Sequence, residues 1–158
     1  MNRPKAIGTS AETAMVRFLI PNGWPAAERR ALTGALDCGD IAGTPGICWE
    51  IKSGRAAETA SDGQILAWLM ETEAERLNAG ADIGILVTKR TSYGPARAGA
   101  WWAHLALSTW DCLYEVPAPR PWDPALSLRL RLDTVVPILH AAGYGTAPAA
   151  AEAVGAWT

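Results

Sequence analysis

The chain is 158 residues long, 49% hydrophobic and 19% charged, with a formal net charge of −2 and a pI near 5.7. That length fits one domain with a sizeable core, and the composition is that of a globular chain rather than a disordered one. No run approaches the roughly 18 uninterrupted apolar residues that a membrane span needs, and the charge balance supplies no general basic field for nucleic acid.

The N-terminal stretch MNRPKAIGTSAE lacks the apolar segment, roughly 7–15 residues, of a secretory signal, so a cytoplasmic address is expected. Cys38, Cys48 and Cys112 make an odd count, with no C-x-x-C pair and no histidine at zinc-ligand spacing. Reduced thiols are expected, with Cys48 packing as a small apolar residue and no structural zinc.

Residues 9–20, TSAETAMVRFLI, predict a largely buried helix with Thr9 or Ser10 as N-cap, Glu12 in the first turn and Pro21-Asn22-Gly23 as the stop. Residues 27–32 read as short and extended. After a Gly-rich turn, ICWEIK has the β-branched and aromatic content of a strand. Residues 61–79 predict a helix in which Ser61 and Gln64 match a capping box. Ile65, Leu66, Trp68, Leu69 and Leu77 supply its apolar face, and Gly80 ends it. ADIGILVTKR reads as a buried strand and AGAWWAHLAL as another, with one ring of Trp101-Trp102 packed inside. LSLRLRL alternates, with Arg129 and Arg131 on one face. A short helix over 133–142 ends at Gly143, and residues 147–158 form a low-complexity tail. This order predicts a single mixed α/β domain over residues 1–146, a central sheet flanked by helices, without the regular alternation of a doubly wound nucleotide-binding fold.

The chemistry concentrates in DCGDIAGTPGICWEIKSG, residues 37–54. Residues i and i+2 of a strand share a face, so Glu50 and Lys52 project together while Trp49 and Ile51 turn toward the core. The Ala42–Gly46 stretch predicts a hairpin pairing 37–41 with 47–52, which sets Asp40 beside Glu50. Paired carboxylates repel unless a cation lies between them, and their hard oxygens suit Mg²⁺ or Mn²⁺. An adjacent lysine can orient a metal-bound water or neutralise transition-state charge. The spacing is equally that of a solvent-facing Glu50–Lys52 ion pair, and both readings stand on the residues alone.

GDI…WEIK resembles the D…E-x-K signature of the PD-(D/E)XK nuclease superfamily, with Gly39 in place of the usual proline. Glu12, the AERR segment at 27–30, Asp40, Glu50, Lys52 and Gln64 follow in matching order. The set is similar to archaeal-type Holliday junction resolvases and to small bacteriophage endonucleases, over roughly residues 5–90. The resemblance implies a restriction-endonuclease-like core and a Mg²⁺- or Mn²⁺-dependent DNA endonuclease, with host cytoplasm as the address if phage-encoded. Asp40, Glu50 and the Ile51 carbonyl would hold the metal, with Glu12 adding a carboxylate directly or through water. Lys52 would position the attacking water, Gln64 would support the site, and Arg29 or Arg30 would contact a DNA phosphate. The implied partners are four-way or other branched DNA and a second copy of the chain in a homodimer. A nuclease acting on linear duplexes or ends is the alternative, as is a non-cutting DNA-binding module of the same fold.

Each candidate also has a plainer role. Glu12 suits the positive end of a helix dipole, Gln64 suits a capping box, and Arg29 and Arg30 suit a solvated surface. Asp37 competes with Asp40 for the metal. His104 and His140 are expected to be structural, and no G-x-S-x-G or P-loop is present.

Overall fold

The computed structural model describes the backbone of residues 3–31 and 36–147 and the side chains of 8–31 and 36–147. The expected tail therefore lies, apart from Ala147, outside the described residues. Helix α1, Arg3–Leu19, begins well before the expected cap. Pro4 is tolerated in a first helical turn, where its missing N–H costs no bond. Thr9 and Ser10 are interior instead, and Thr13 Oγ1 donates to the Thr9 carbonyl at 2.8 Å. A 3-10 turn, Ile20–Asn22, and Gly23 at φ +103° redirect the chain.

Strands β1, Glu28–Arg29, and β2, Ile41–Ala42, form a separate antiparallel ribbon, with Glu28 opposite Ala42 and Arg29 opposite Ile41. Gly43, at φ +75°, makes that approach possible, because a Cβ there would stand 1.8 Å from the Ala26 carbonyl oxygen. This corrects the expected hairpin: 37–41 does not form a ladder with 47–52. Strand β3, Ile47–Lys52, is followed by a short helix α2, Arg55–Glu58. Helix α3, Asp62–Ala79, has Ser61 as its cap, whose Oγ accepts the Gln64 N–H at 3.2 Å, and left-handed Gly80 as its stop. Strand β4, Ile83–Thr88, a 3-10 segment at Pro95–Ala100, and strand β5, Trp102–Ala106, come next. Helix α4, Leu107–Leu113, strand β6, Ser127–Arg131, and helix α5, Leu132–Ala141, complete the described chain.

The main sheet runs β3-β4-β5-β6, with β3 parallel to β4 and the other pairs antiparallel. The fold is thus mixed α/β, a four-stranded mixed sheet with helices on both faces. Strand alternation sorts its side chains. One face sends Trp49, Ile51, Ile85, Val87, Ala103 and Leu105 into a dry core with Met15 and Leu19 of α1 and Leu132, Val135 and Leu139 of α5. The other face carries Cys48, Glu50 and Lys52 on β3, Leu86 and Thr88 on β4, Trp102 and His104 on β5, and Arg129 and Arg131 on β6, as the register dictates. Helix α3 covers the β3–β4 half of that face with Leu69, Thr72 and Glu75. On the β5–β6 half His104 is buried and Trp102 half-buried, while Ser127, Arg129 and Arg131 of β6 are exposed.

Two details depart from the sequence pattern, and the Trp101–Trp102 pair follows it. The predicted strand through Leu107 stops at Ala106, where the chain turns directly into α4. Leu77, assigned to the apolar face of α3, is 63% exposed, and Ile20 is 44% exposed. Trp101 is fully buried, with its indole N–H donated to the Tyr93 carbonyl, while Trp102 is half-buried. Among the described residues no helix is long and apolar enough to cross a membrane.

Candidate active site

β3 is an edge strand, and Asp40 is clamped against its free edge. The Asp40 N–H donates to the Trp49 carbonyl at 2.8 Å, and its Oδ2 accepts the Ile51 N–H at 2.7 Å. One residue thereby satisfies the two backbone groups that bracket Glu50, doing with a side chain what a neighbouring strand would do with its backbone. The Lys89 N–H donates to the Lys52 carbonyl, so Lys52 turns its backbone toward β4. Ile51, one residue earlier, then turns its own carbonyl to the free edge beside Asp40.

Gly39 enables this clamp. Its φ is +85°, a region closed to proline, and its N–H donates to Asp37 Oδ1 at 3.2 Å. A glycine at this position is therefore required by the local backbone. Asp37 is exposed and only caps this turn, with its carbonyl accepting from Asn78 at 2.8 Å. Asp40, not Asp37, reaches β3.

Glu50 is only 8% exposed, which removes the solvent-facing ion pair as an account of it. Its Oε1 lies 2.6 Å from Lys52 Nζ, and the same ammonium lies 3.0 Å from Glu71 Oε2 on α3 and 5.9 Å from the Trp68 ring centre. Glu75, one helical turn beyond Glu71, is 7% exposed and shares a hydrogen bond with Glu50. Its Oε2 is buried without a partner.

The electrostatics follow from that packing. Burial, then the Glu50 charge, push Asp40 from an ordinary 3.8 up to about 7, against the pull of the Ile51 N–H and with Glu12 adding to the rise. Burial raises Glu50 to about 7 even though Lys52 holds it down, and Glu75 adds to the rise. Burial also raises Glu75 to about 7, with the charges of Asp37 and Asp40 contributing, against the hydrogen bond from Glu50 and the Lys52 charge. For Lys52, burial favours the neutral amine, but the bonds and charges of Glu50 and Glu71 outweigh it and its proton is held more tightly than in water. Near neutral pH the cluster is a set of half-protonated carboxyls around one firm cation.

The other expected residues divide. Glu12 of α1 is close enough to raise Asp40, and it is tied to Arg29 Nε at 2.8 Å. Arg30 donates to the Ile41 carbonyl at 3.2 Å. Arg29 and Arg30 are thus engaged in holding the β1–β2 ribbon. Gln64 is exposed at the start of α3, its N–H taken by Ser61. At about 1.5 Å per residue it lies roughly 10 Å up the helix from Glu71, so the contacts expected of Gln64 are made by Trp68, Glu71 and Glu75 instead. The sequence carried one sign of Glu75. An α3 phase drawn through Ile65 and Leu69 continues into Thr72 and then Glu75-Arg76, polar residues on a buried stripe.

A divalent cation suits the chemistry of this donor set. Asp40, Glu50 and Glu75 offer carboxylate oxygens, Ile51 offers a carbonyl, and Glu75 Oε2 lacks any partner. The set is open rather than closed: among the described residues no three acidic, histidine or cysteine side chains converge into a ready cage, and Lys52 sits on Glu50 Oε1.

No protein-family model matches this chain, and neither a curated protein nor a solved structure is significantly similar to it.

Proposed function

We propose that the chain is a metal-dependent DNA endonuclease of the PD-(D/E)XK type that hydrolyses phosphodiester bonds, with branched four-way DNA as its substrate. The observation that carries this reading is the convergence of Asp40, Glu50 and Lys52 at one free strand edge, with acids outnumbering the lysine. Asp40 and Glu50, with the Ile51 carbonyl and help from Glu75 or Glu12, would hold Mg²⁺ or Mn²⁺. Such an ion, when bound, supplies a Lewis acid for the phosphoryl oxygen and lowers the pKa of water.

The chain's own groups have defined parts. Asp40 is fixed by the Ile51 N–H and lies within hydrogen-bond reach of Glu50, so the two carboxyls are held together beforehand. Lys52 keeps its proton through the neutral range, which suits it to stabilise charge on a pentacovalent phosphate rather than to act as a base. Glu71 offers the ammonium a second resting place when Glu50 is needed elsewhere. Resolution of a junction requires two symmetric nicks, so this reading implies a homodimer with paired sites.

The test is cleavage of a labelled four-way junction and of a linear duplex of matched sequence, each with Mg²⁺ or with EDTA. Paired nicks in the junction alone support resolution, and cutting of both substrates supports a general nuclease. Asp40→Asn keeps an acceptor for the Ile51 N–H, so it should fold and fail to cut, as should Lys52→Ala. Absence of metal-dependent cleavage by the native chain refutes the enzyme reading.

A further inference from the structure

The proposed site occupies the β3 end of one sheet face; the β5–β6 end of that same face has no role yet. There Arg129 and Trp102 connect through Arg90 to Tyr93 and Arg97 of the segment after β4, in a series of guanidinium–ring contacts. Arg97 lies over Tyr93 at 4.8 Å, and Arg90 lies over the same ring at 4.3 Å. Arg90 also covers Trp102 at 4.0 Å, and Arg129 lies over Trp102 at 4.8 Å. The stack thus runs Arg97, Tyr93, Arg90, Trp102, Arg129.

Among the described residues Arg90, Arg97 and Arg129 pair with no carboxylate, as is also true of Arg17, Arg30 and Arg55, but only these three are gathered on aromatic rings. Arg76, Arg120 and Arg131 each pair with a carboxylate, at Glu73, Asp111 and Asp133. Among the described residues Arg90 and Arg97 donate to the backbone carbonyls of Ala100 and Ser92, and Arg129 makes its ring contact and lies close enough to His104 for its charge to act on that ring. In a chain whose net charge is −2, three unneutralised cations are held side by side. Ring faces offset some of that repulsion, by about 0.5–1 kcal/mol per exposed contact, and each guanidinium keeps N–H donors beyond the one that Arg90 and Arg97 each give to a backbone carbonyl. Arginines fixed in this way lose little further entropy on meeting an anion and match phosphate geometry with paired donors.

The register sets the distance from the site. Glu50, Leu86, His104 and Arg129 form one row across the sheet, and Lys52, Thr88 and Trp102 form the next. At about 4.8 Å per strand, Trp102 is roughly 10 Å from Lys52 and Arg129 roughly 14 Å from Glu50. A B-form strand advances about 3.4 Å of axis per phosphate, so the interval spans on the order of three to four nucleotides. The intervening surface is hollow: a cavity of about 600 Å³ opens there, walled by Thr88, Trp102, His104, Ser127 and Arg129, with the start of α3 across from them. Glu58 and Asp62 also line it, and Glu58 is neutralised by Lys89.

We infer that the Arg90–Arg97–Arg129 stack on Tyr93 and Trp102 is the DNA-backbone binding surface, gripping the phosphates of the strand three to four nucleotides from the one held at Lys52. The placement rests on the nuclease reading, whereas the anion-binding surface itself does not. It assigns a phosphate contact to these arginines in place of Arg29, whose charge is already taken by Glu12; Arg30, like Arg90 and Arg97, donates to a backbone carbonyl.

The experiment is fluorescence anisotropy of a labelled DNA junction and duplex in EDTA, so that nothing is cut, over a series of salt concentrations. Arg129→Ala removes no hydrogen bond and should fold as the native chain does; Arg90→Ala,Arg129→Ala is the stronger variant. Arg17→Ala, on α1 across the sheet, makes the same charge change elsewhere, and circular dichroism and melting verify each fold. The double variant should bind at least tenfold more weakly, with the slope of log K against log salt shallower by about one per arginine removed. Arg17→Ala should stay within twofold of native, and Arg129→Lys, which keeps charge but not the flat stack, should fall between. Native-like affinity and slope in the double variant overturn the inference, as does a native chain that binds no DNA. If the native chain binds through these arginines but never cuts with metal, the nuclease reading falls and the surface stands. If it cuts, and the double variant binds and cuts normally, the reverse holds.

Discussion

Replacing Glu75 by glutamine tests whether the carboxyl cluster is as electrostatically burdened as its packing implies. Glu75 is 7% exposed, has one oxygen without a partner, and is raised from an ordinary 4.5 to about 7. Between about pH 4.5 and 7 the folded state binds more protons than the unfolded state. Stability from this group is therefore fully present below 4.5 and is lost as pH rises through 7. At about 1.36 kcal/mol per pKa unit, its ionised form costs the fold roughly 3 kcal/mol at pH 8. Glutamine keeps the shape and can still bond to Glu50, so Glu75→Gln should recover most of that. In a chain of this length about 1 kcal/mol moves the melting temperature by about 2–4 °C. Melting in EDTA should thus show the variant about 6–12 °C above native at pH 8 and close to native at pH 4.5. Equal effects at both pH values, or a loss of stability at pH 8, would refute the argument.

Three further outcomes follow from particular contacts. Mn²⁺ or Mg²⁺ at about 100 times its Kd should stabilise the native chain by about 2.7 kcal/mol at pH 8; the gain should shrink at pH 5, where protons occupy Asp40 and Glu50, and vanish in Asp40→Asn, as read by thermal melting. Gly39→Pro demands φ near −65° where the chain has +85° and removes the N–H bound to Asp37, so urea titration should show a loss of about 3 kcal/mol or more. His140 stacks on Trp24 at 4.9 Å and bonds the carbonyls of Tyr144 and Asn22 at 2.9 and 3.0 Å. His140→Ala should then cost about 2–4 kcal/mol in the same assay, and His140→Phe, which keeps the stack, should cost less.

How much of this was legible in the sequence depends on whether the determining contact was local. ICWEIK, the Ser61 cap, the Gly80 stop and the LSLRLRL alternation all specify their elements within a few residues, and the structure has each of them. Helix α4 was missed because Leu107 continues the apolar run of β5 with no Gly, Pro or capping side chain at the junction. Nothing in the pattern marks the change of period. The β1–β2 ribbon was missed for another reason. Its strands are two residues each, and what brings them together is the close backbone approach at Gly43, a tertiary contact with Ala26. At the site, the shared face of Glu50 and Lys52 follows from spacing alone. Glu75 does not, because METEAERLNA offers acids at 71, 73 and 75 and only the packed phase of α3 decides which turn inward. Glu73 turns to Arg76, while Glu71 and Glu75 turn to β3.

That phase is what separates the two readings the sequence left open. A structural ion pair on a strand needs one acid and one base, half in water, where each is hydrated and the pair is worth little. Here Asp40, Glu50, Glu71 and Glu75 surround a single lysine, and Glu50 and Glu75 are almost wholly removed from solvent. Glu12, the next acid, is already neutralised by Arg29. Selection for stability alone would convert Glu75 to glutamine or leucine, since the Lys52 charge does not offset its burial and, among the described residues, its Oε2 has no donor. A local arrangement that works against folding points to a site where the surplus of negative charge is used. On the proposed nuclease reading, a divalent cation would turn this surplus into binding energy. The arginines at the other end of the same face carry the opposite surplus, and on that reading one phosphodiester strand, with its metal, would complement both.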